Sequence, residues 1–375
     1  MDAEKEVNTM TQKEQPIVVR GTPAVYHSEP GILNKLDKLL ASYAYQRVVV
    51  VHGDRSLEAA QPYWPKETNL SLLYLRYHGE CTPQEADRIA SYAKTEQADA
   101  IIGLGGGKVM DLVKAAGHAS GLDAILIPTL ASNCAAWTPL SVFYNEAGQF
   151  THYTVFPKST LLVLLEPRIA LYAPVEYLRA GIADTLAKWY EADVLIRNLK
   201  RRPPAVQLAH LAARQCQTSL LEHGRQSLLD AKQLLLSDAF VEIAETIIMT
   251  GGIVGGFGDH LGRIAGAHSI HNGLTAAPAT HHLLHGDKVA YGILVQLLLE
   301  GNADEVKHLL PFYRDLGLPY RLHDLGLSAE DHQGLENIAA QATLPQESIQ
   351  LMRLGGVSAD EVYGAIVKLE EIVQV

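Results

Sequence analysis

Residues 100–119 read AIIGLGGGKVMDLVKAAGHA, and this stretch decides the fold. Ala100–Leu104 is a short, uniformly apolar run of the kind that forms a buried strand. Gly103 lies near its end, Gly105, Gly106 and Gly107 follow it, and Asp111–Ala119 has helical spacing. Glycines between a strand and a helix let the backbone approach a ligand closely. The free N–H groups and positive end of the helix then favour an anion, a pyrophosphate above all. The loop is neither of two familiar phosphate motifs. Val109 stands where a P-loop needs Ser or Thr, and Lys108 stands at the third glycine of GxGxxG. A turn that needs glycine for geometry alone is the competing reading.

The same rhythm extends outward from this stretch. Arg47–Val51 (RVVVV) and Ala124–Pro128 (AILIP) read as buried strands, Leu72–Tyr77 as a weaker one, and Glu85–Thr95 as a helix. Leu161–Leu165 reads as a last strand. Strand and helix alternating at this spacing predict a parallel α/β sheet covered on both faces. Beyond Pro174 the pattern turns helical, over 175–199, 205–221, 228–250, 290–300 and 306–316. The breaks at Glu166-Pro167 and Ala173-Pro174 put a boundary near 170. The expected organisation is a disordered tail over 1–15, an α/β domain over 16–170, and an all-helical domain over 171–375.

Composition excludes several function classes. With 31 basic and 42 acidic residues the formal charge is −11. That disfavours nucleic acid or an anionic membrane as the main partner. Cys81, Cys134 and Cys216 are odd in number and form no CxxC pair, so a reducing, cytoplasmic location is expected. The polar N-terminus is not a secretory signal, and no apolar run of about 18 residues stands out as a membrane helix.

Asp54 follows Arg47–Val51 after His52-Gly53. An acidic residue there accepts hydrogen bonds from a ribose diol and favours NAD, whereas the adjacent Arg55 would tolerate the 2′-phosphate of NADP. A turn or helix-capping aspartate is the structural alternative. Five of the sixteen histidines lie between 268 and 285: His268, His271, His281, His282 and His285. Several imidazoles at helical spacing suit Zn²⁺ or Fe²⁺. Spacing alone does not identify the carboxylate that would complete such a site.

The segments GECTPQEADRI, GLGGGKVMDLVKA, IPTLAS, LSVFYNEAGQF, GIADTLAKWYEA, AHSIHNGLTA and HHLLHGDKVAYG, in this order, resemble the glycerol dehydrogenase branch of the iron-containing alcohol dehydrogenase superfamily. The resemblance spans nearly the whole chain after the tail. It implies a dehydroquinate synthase-like fold, with an α/β dinucleotide-binding domain over 16–170 and an all-helical metal-binding domain over 171–375, and an NAD- or NADP-linked dehydrogenase acting on CH–OH groups. One divalent metal is implied, Zn²⁺ ahead of Fe²⁺, in a homo-oligomer acting on a small molecule. The implied metal ligands are Asp184, His268 and His285. Asp184 itself stands in a small-residue stretch that reads as the opening of a helix. The implied pyrophosphate loop is Gly105, Gly106, Gly107 and Lys108, and further dinucleotide contacts fall on Asp54, Thr129, Ser132, Thr138, Leu140 and Tyr144. Lys188 stands where the iron branch has a second helical histidine.

One departure bears on substrate. Glycerol dehydrogenases carry an aspartate where this chain has Cys134, and CAAWTPLSV resembles the hydroxycarboxylate dehydrogenases of the same family. Two like charges about 4 Å apart cost roughly 4 kcal/mol at an effective dielectric of about 20. Losing the aspartate therefore removes a polyol acceptor and a repulsion toward an anionic 2-oxo or 2-hydroxy acid. A polyol dehydrogenase is the nearest alternative. A dehydroquinate synthase-type lyase would call for extra basic residues that are not legible here. His271 is the candidate for proton transfer, Lys188 and Lys288 for neutralising an anionic substrate, and Trp137 and Phe143 for packing.

Overall fold

A computed structural model describes residues 16–21, 23–146 and 148–373. The expected tail over 1–15 lies outside the described residues. The strands are β1 (Val25–Ser28), β2 (Arg47–His52), β3 (Ser71–Arg76), β4 (Ala100–Gly105), β5 (Asp123–Pro128), β6 (Leu140–Tyr144), β7 (Phe150–Val155) and β8 (Leu162–Leu165). Six of them form one sheet in the order β1-β8-β5-β4-β2-β3, and every pairing in it is parallel. Every residue of β4 is buried, as are Val48–Val51. Alternate strand residues face opposite sides. Val48, Val50, Ile102, Leu104, Ile125 and Ile127 therefore share one core with Ile32, Leu33 and Leu36. Burial on both sides is why these strands read as continuous β-branched runs.

The strand order contains a reversal. From β2 the chain goes to β3, at one edge of the sheet; from β4 it goes to β5, on the other side. The connections leaving β2 and β4 thus diverge, which opens a crevice at their carboxyl ends. Gly53-Asp54 and Gly105–Gly107 sit at those two ends. Ser56 Oγ donates to the Leu104 carbonyl at 2.8 Å and ties the two exits together.

Three strands escaped the sequence reading. β1 (VYHS) is short and half-buried at the sheet edge. β6 and β7 form a separate antiparallel hairpin whose second strand is largely exposed, so neither shows an apolar run.

After Leu165 no strand occurs among the described residues, as expected. The long helices include Val175–Ile196, Pro204–Lys232, Gly266–Leu274, His285–Leu299, Ala303–Leu316, His332–Ala342 and Ala359–Val373. The expected continuous helix over 228–250 is broken instead. One helix stops at Lys232 and the next starts at Asp238, capped by Ser237 Oγ accepting from Phe240 N at 3.1 Å.

The compact units do not follow a single cut near 170. One consists of Arg20–Leu178 together with Gln226–Gly256; the other contains Arg179–Arg225 and Phe257–Val375. Segment 226–256 groups with the sheet unit because its helices pack there. An added Cβ at Gly252 would stand 2.5 Å from the Trp137 ring, and one at Gly256 would stand 2.8 Å from the Gly21 backbone.

The stretch Asp238–Leu261 also corrects an expectation. It has 24 helical residues, and its most apolar window has a mean hydropathy of 1.4, so it is long and apolar enough by composition to cross a membrane. Five interspersed glycines hid it as an apolar run. Over half of its most apolar window is buried inside the protein, as expected of a core helix.

Candidate functional site

In the helical unit, three helices approach unusually closely, and small residues make this possible. A Cβ at Gly286 would lie 1.9 Å from the Ala180 carbonyl oxygen, and one at Gly292 would lie 2.3 Å from the Ala267 carbonyl oxygen. Gln296 fastens the same three helices: its Oε1 accepts from Ala267 N at 2.9 Å, and its Nε2 donates to the Tyr190 carbonyl at 3.0 Å. The small-residue stretch around Asp184 therefore serves helix contact. It does not open a helix, as the sequence suggested: Asp184 lies well inside Val175–Ile196.

This packing brings Asp184, His268 and His285 together. Asp184 Oδ1 is 3.3 Å from His268 Nε2 and 3.4 Å from His285 Nε2, and the two imidazole nitrogens are 3.4 Å apart. Asp184 and His268 are buried, whereas His285 is half exposed.

Glu191, which the sequence reading passed over, holds His268 from behind. His268 Nδ1 donates to Glu191 Oε2 at 2.7 Å. Glu191 Oε1 accepts from the backbone N–H groups of Ala265 at 2.7 Å and His268 at 2.9 Å. With its proton on Nδ1, a neutral His268 turns the Nε2 lone pair toward His285 and Asp184. That lone pair faces Asp184 Oδ1, a buried oxygen lacking a well-formed hydrogen bond, and His285 Nε2.

Such a set fits a cation. Ligands about 2.0–2.1 Å from a tetrahedral ion stand about 3.3 Å from one another, which is the side of the triangle seen here. The electrostatics agree. Burial pushes the Asp184 carboxyl up, yet the adjacent His268 and His285 rings, then the charge of Lys188, hold it well below its ordinary range. Burial also opposes charging of His268, but the Glu191 charge, the adjacent Asp184 carboxylate and the ring's hydrogen bond to Glu191 raise it to about 9. The cluster demands positive charge.

Of the other histidines, His271 joins this group. Its ring centroid is 4.2 Å from that of His285 and 6.4 Å from that of His268. His271 Nδ1 faces Asn272 Oδ1 at 3.0 Å, which leaves Nε2 as the acceptor. Burial, then the charges of His285, His268 and Lys288, hold its pKa well below the usual imidazole value. His281 and His282 are exposed and stand outside the cluster, with His281 Nε2 at 2.9 Å from the Thr275 carbonyl. Lys188 is buried and donates to the Arg263 carbonyl at 3.1 Å.

The other sequence-derived residues lie in the sheet unit. Gly105 ends β4, Gly106 caps the helix Gly107–Ser120, and Gly107 opens it. A Cβ at these positions would meet Val109 at 2.7 Å, Leu130 at 2.8 Å and Asn133 at 2.7 Å respectively. The glycines are required by crowding on the protein side, and the backbone there is free of side chains. Lys108 Nζ pairs with Glu80 at 2.5 Å, so a phosphate would compete with that carboxylate. Asp54 opens the helix after β2, with Arg76 Nε on both its oxygens at 2.7 and 2.9 Å.

Thr129 follows β5 and donates its N–H to the Gly105 carbonyl at 2.9 Å; Ser132 stands three residues further along the same loop. The Cys134 carbonyl accepts from Trp137 N at 2.9 Å and Thr138 N at 3.2 Å, closing a turn. Leu140 and Tyr144 begin and end β6. Burial, then the charges of Asp111, Cys81 and Glu80, push the Tyr144 phenol up to about 12. Trp137 is core: its Nε1 donates to the Gly21 carbonyl at 2.7 Å, and its ring meets Tyr26 edge-on at 5.2 Å. Phe143 is buried as well and stacks on His152.

A buried lysine organises this loop, and sequence reasoning missed it. Lys114 Nζ donates to the carbonyls of Ala135 at 2.6 Å, Thr138 at 3.0 Å and Leu140, and pairs with Asp111 at 2.8 Å. Asp111 in turn accepts from Val142 N at 3.0 Å. An Asp and a Lys three residues apart inside an otherwise apolar helix were the available signal.

Known proteins share this architecture. The family model described as iron-containing alcohol dehydrogenase matches residues 23–167. Hydroxycarboxylate dehydrogenase A of Escherichia coli (strain K12) is 39% identical over 356 residues, covering 95% of this chain and 98% of that protein. A glycerol dehydrogenase of Escherichia coli O6:H1 is 33% identical, covering 93% of this chain and 96% of its own. The crystal structure of a probable glycerol dehydrogenase from Sinorhizobium meliloti 1021 superposes with a TM-score of 0.84 at 28% identity, covering 96% of this chain and all of that one.

Proposed function

Because the chain belongs to the iron-containing alcohol dehydrogenase family, we propose that it interconverts a small 2-hydroxy acid and its 2-oxo acid, using NAD or NADP and one divalent metal ion. That it is an oxidoreductase acting on alcohol or hydroxy groups follows from family membership. The observation that carries the metal-dependent reading is the 3.3–3.4 Å triangle of Asp184, His268 and His285. Cys134, in place of a polyol-binding aspartate, favours the 2-oxo acid, as does the 39% identity to a hydroxycarboxylate dehydrogenase.

A cation held by Asp184, His268 and His285 would supply Lewis acidity toward the substrate oxygen, with Zn²⁺ suited to this N,N,O donor set. A nicotinamide dinucleotide would supply or accept the hydride. The chain's own residues set the stage. Glu191 keeps the His268 proton on Nδ1 and the ring in register. His271 Nε2, on a neutral imidazole, is the group placed to take or return the hydroxyl proton. The bare backbone of Gly105–Gly107 at a helix N-terminus suits a pyrophosphate, with Lys108, Asp54, Thr129, Ser132, Thr138, Leu140 and Tyr144 as its neighbours. The acidic net charge and the absence of disulfides among the described residues support a cytoplasmic enzyme with no nucleic-acid or membrane partner. A homo-oligomeric state is part of the same proposal.

The test is a spectrophotometric screen. Both reduced nicotinamide cofactors are offered with a panel of 2-oxo acids, and both oxidised ones with 2-hydroxy acids, glycerol and diols. Metal is measured on the same preparation before and after chelation. Turnover of 2-oxo acids that disappears with the metal is expected. Preference for glycerol over every 2-hydroxy acid would favour a polyol dehydrogenase, and full activity after metal removal would refute the metal role.

A further inference from the structure

Two lysines follow candidate metal ligands by about one helical turn: Lys188 after Asp184, and Lys288 after His285. Their surroundings differ. Lys188 spends its ammonium on the Arg263 carbonyl at 3.1 Å and lies within the field of Asp184 and Glu191. Lys288 is only 7% exposed, yet its ammonium has no hydrogen bond or ion pair among the described residues. The adjacent carboxylate does not serve it. Both oxygens of Asp287 are held by Arg179, from Nε at 3.1 Å and Nη2 at 2.9 Å. The stem is enclosed while the ammonium nitrogen itself is not sealed off from solvent, so an incoming ligand can reach it. Burial draws its pKa below the ordinary value, and Asp287 opposes this only in part.

Lys288 stands three residues after His285 on the helix His285–Leu299, so the two side chains leave neighbouring points on one helix face. A lone cation beside a metal cluster, on the helix that carries one of the ligands, suits an anion brought in by the substrate. The geometry points to Lys288 as the receptor for the carboxylate of a 2-oxo or 2-hydroxy acid whose reacting oxygen goes to the metal. This inference rests on the function proposed above and adds the residue that would select an anionic substrate over a neutral one.

The experiment uses the full-length, metal-loaded enzyme with Lys288→Met, which keeps the apolar stem, and Lys288→Arg, which keeps the charge. KM and kcat are measured for a three-carbon 2-oxo acid and for hydroxyacetone, a neutral ketone of the same size. Oxalate binding is measured by calorimetry, independently of turnover. For Lys288→Met, the 2-oxo acid KM and the oxalate Kd rise about 30-fold, within the range of one charge-assisted hydrogen bond. The hydroxyacetone KM moves far less, bound metal is unchanged, and Lys288→Arg recovers most of the loss. Equal losses on both substrates, an unchanged 2-oxo acid KM, or loss of metal would each overturn the role. A wild-type enzyme with no preference for the anionic ketone overturns the 2-oxo acid reading and this inference together. A wild-type preference that survives in Lys288→Met overturns the inference alone.

Discussion

Glu191 grips His268 at two points, the ring Nδ1 at 2.7 Å and the backbone N–H at 2.9 Å, so one buried carboxylate sets both the tautomer and the position of that imidazole. Glu191→Gln can still accept from the backbone but presents an N–H to Nδ1. The ring then moves its proton to Nε2, the atom that faces the metal position. Metal affinity should fall about 10–100-fold, read by competition with a chelating dye. Unaltered affinity would leave Glu191 a purely structural residue.

Gly286 should matter as much as the ligands. A methyl group there has no room beside the Ala180 carbonyl, 1.9 Å away. Gly286→Ala must part the helices that carry Asp184 and His285. Overpacking costs about 1–3 kcal/mol, so thermal unfolding should show a moderate loss of stability. Metal content should drop more sharply, because separation of the helices spoils the triangle directly. Retained metal in a destabilised protein would show that the site tolerates the shift.

Lys114→Met removes the donor shared by three carbonyls and leaves the buried Asp111 carboxylate with only the Val142 N–H. Breaking one side of a buried pair costs about 3–5 kcal/mol. The loop from Cys134 to Leu140 should loosen and dinucleotide affinity should fall, measured by quenching of protein fluorescence. Asp111→Leu combined with Lys114→Met removes the stranded charge and should recover part of the stability but little of the affinity. Full recovery of both would mean that the carbonyl contacts do not position the loop.

Cys134→Asp restores a carboxylate where glycerol dehydrogenases have one. Like charges about 4 Å apart cost roughly 4 kcal/mol at an effective dielectric of about 20. The ratio of 2-oxo acid reduction to polyol oxidation, taken as kcat/KM, should fall by at least about tenfold. An unchanged ratio removes the charge argument for substrate choice.

Much of the fold is visible along the chain because a strand buried on both faces must be apolar throughout. Arg47–His52 and Ala100–Gly105 show this plainly, and the glycine loop betrays its strand-to-helix turn. The exposed hairpin strand Phe150–Val155 and the edge strand Val25–Ser28 bury too little to leave such a trace. At the candidate site, the histidine spacing marks the region around 268–285. Asp184 entered through family resemblance, and Glu191, seven residues on and near the same face of the same helix, went unread.

What the amino-acid order determines by itself is local: which runs are strands, where glycine is needed, and which helical positions carry imidazoles. Tertiary structure decides which of those imidazoles meet. His268, His271 and His285 gather while His281 and His282 face solvent, although all five lie within eighteen positions. The reason is that periodicity tells which face of a helix is covered and says nothing about what covers it. Here the answer lies in paired approaches of small residues from different helices, Gly286 on Ala180 and Gly292 on Ala267, which exist only once the helices have packed.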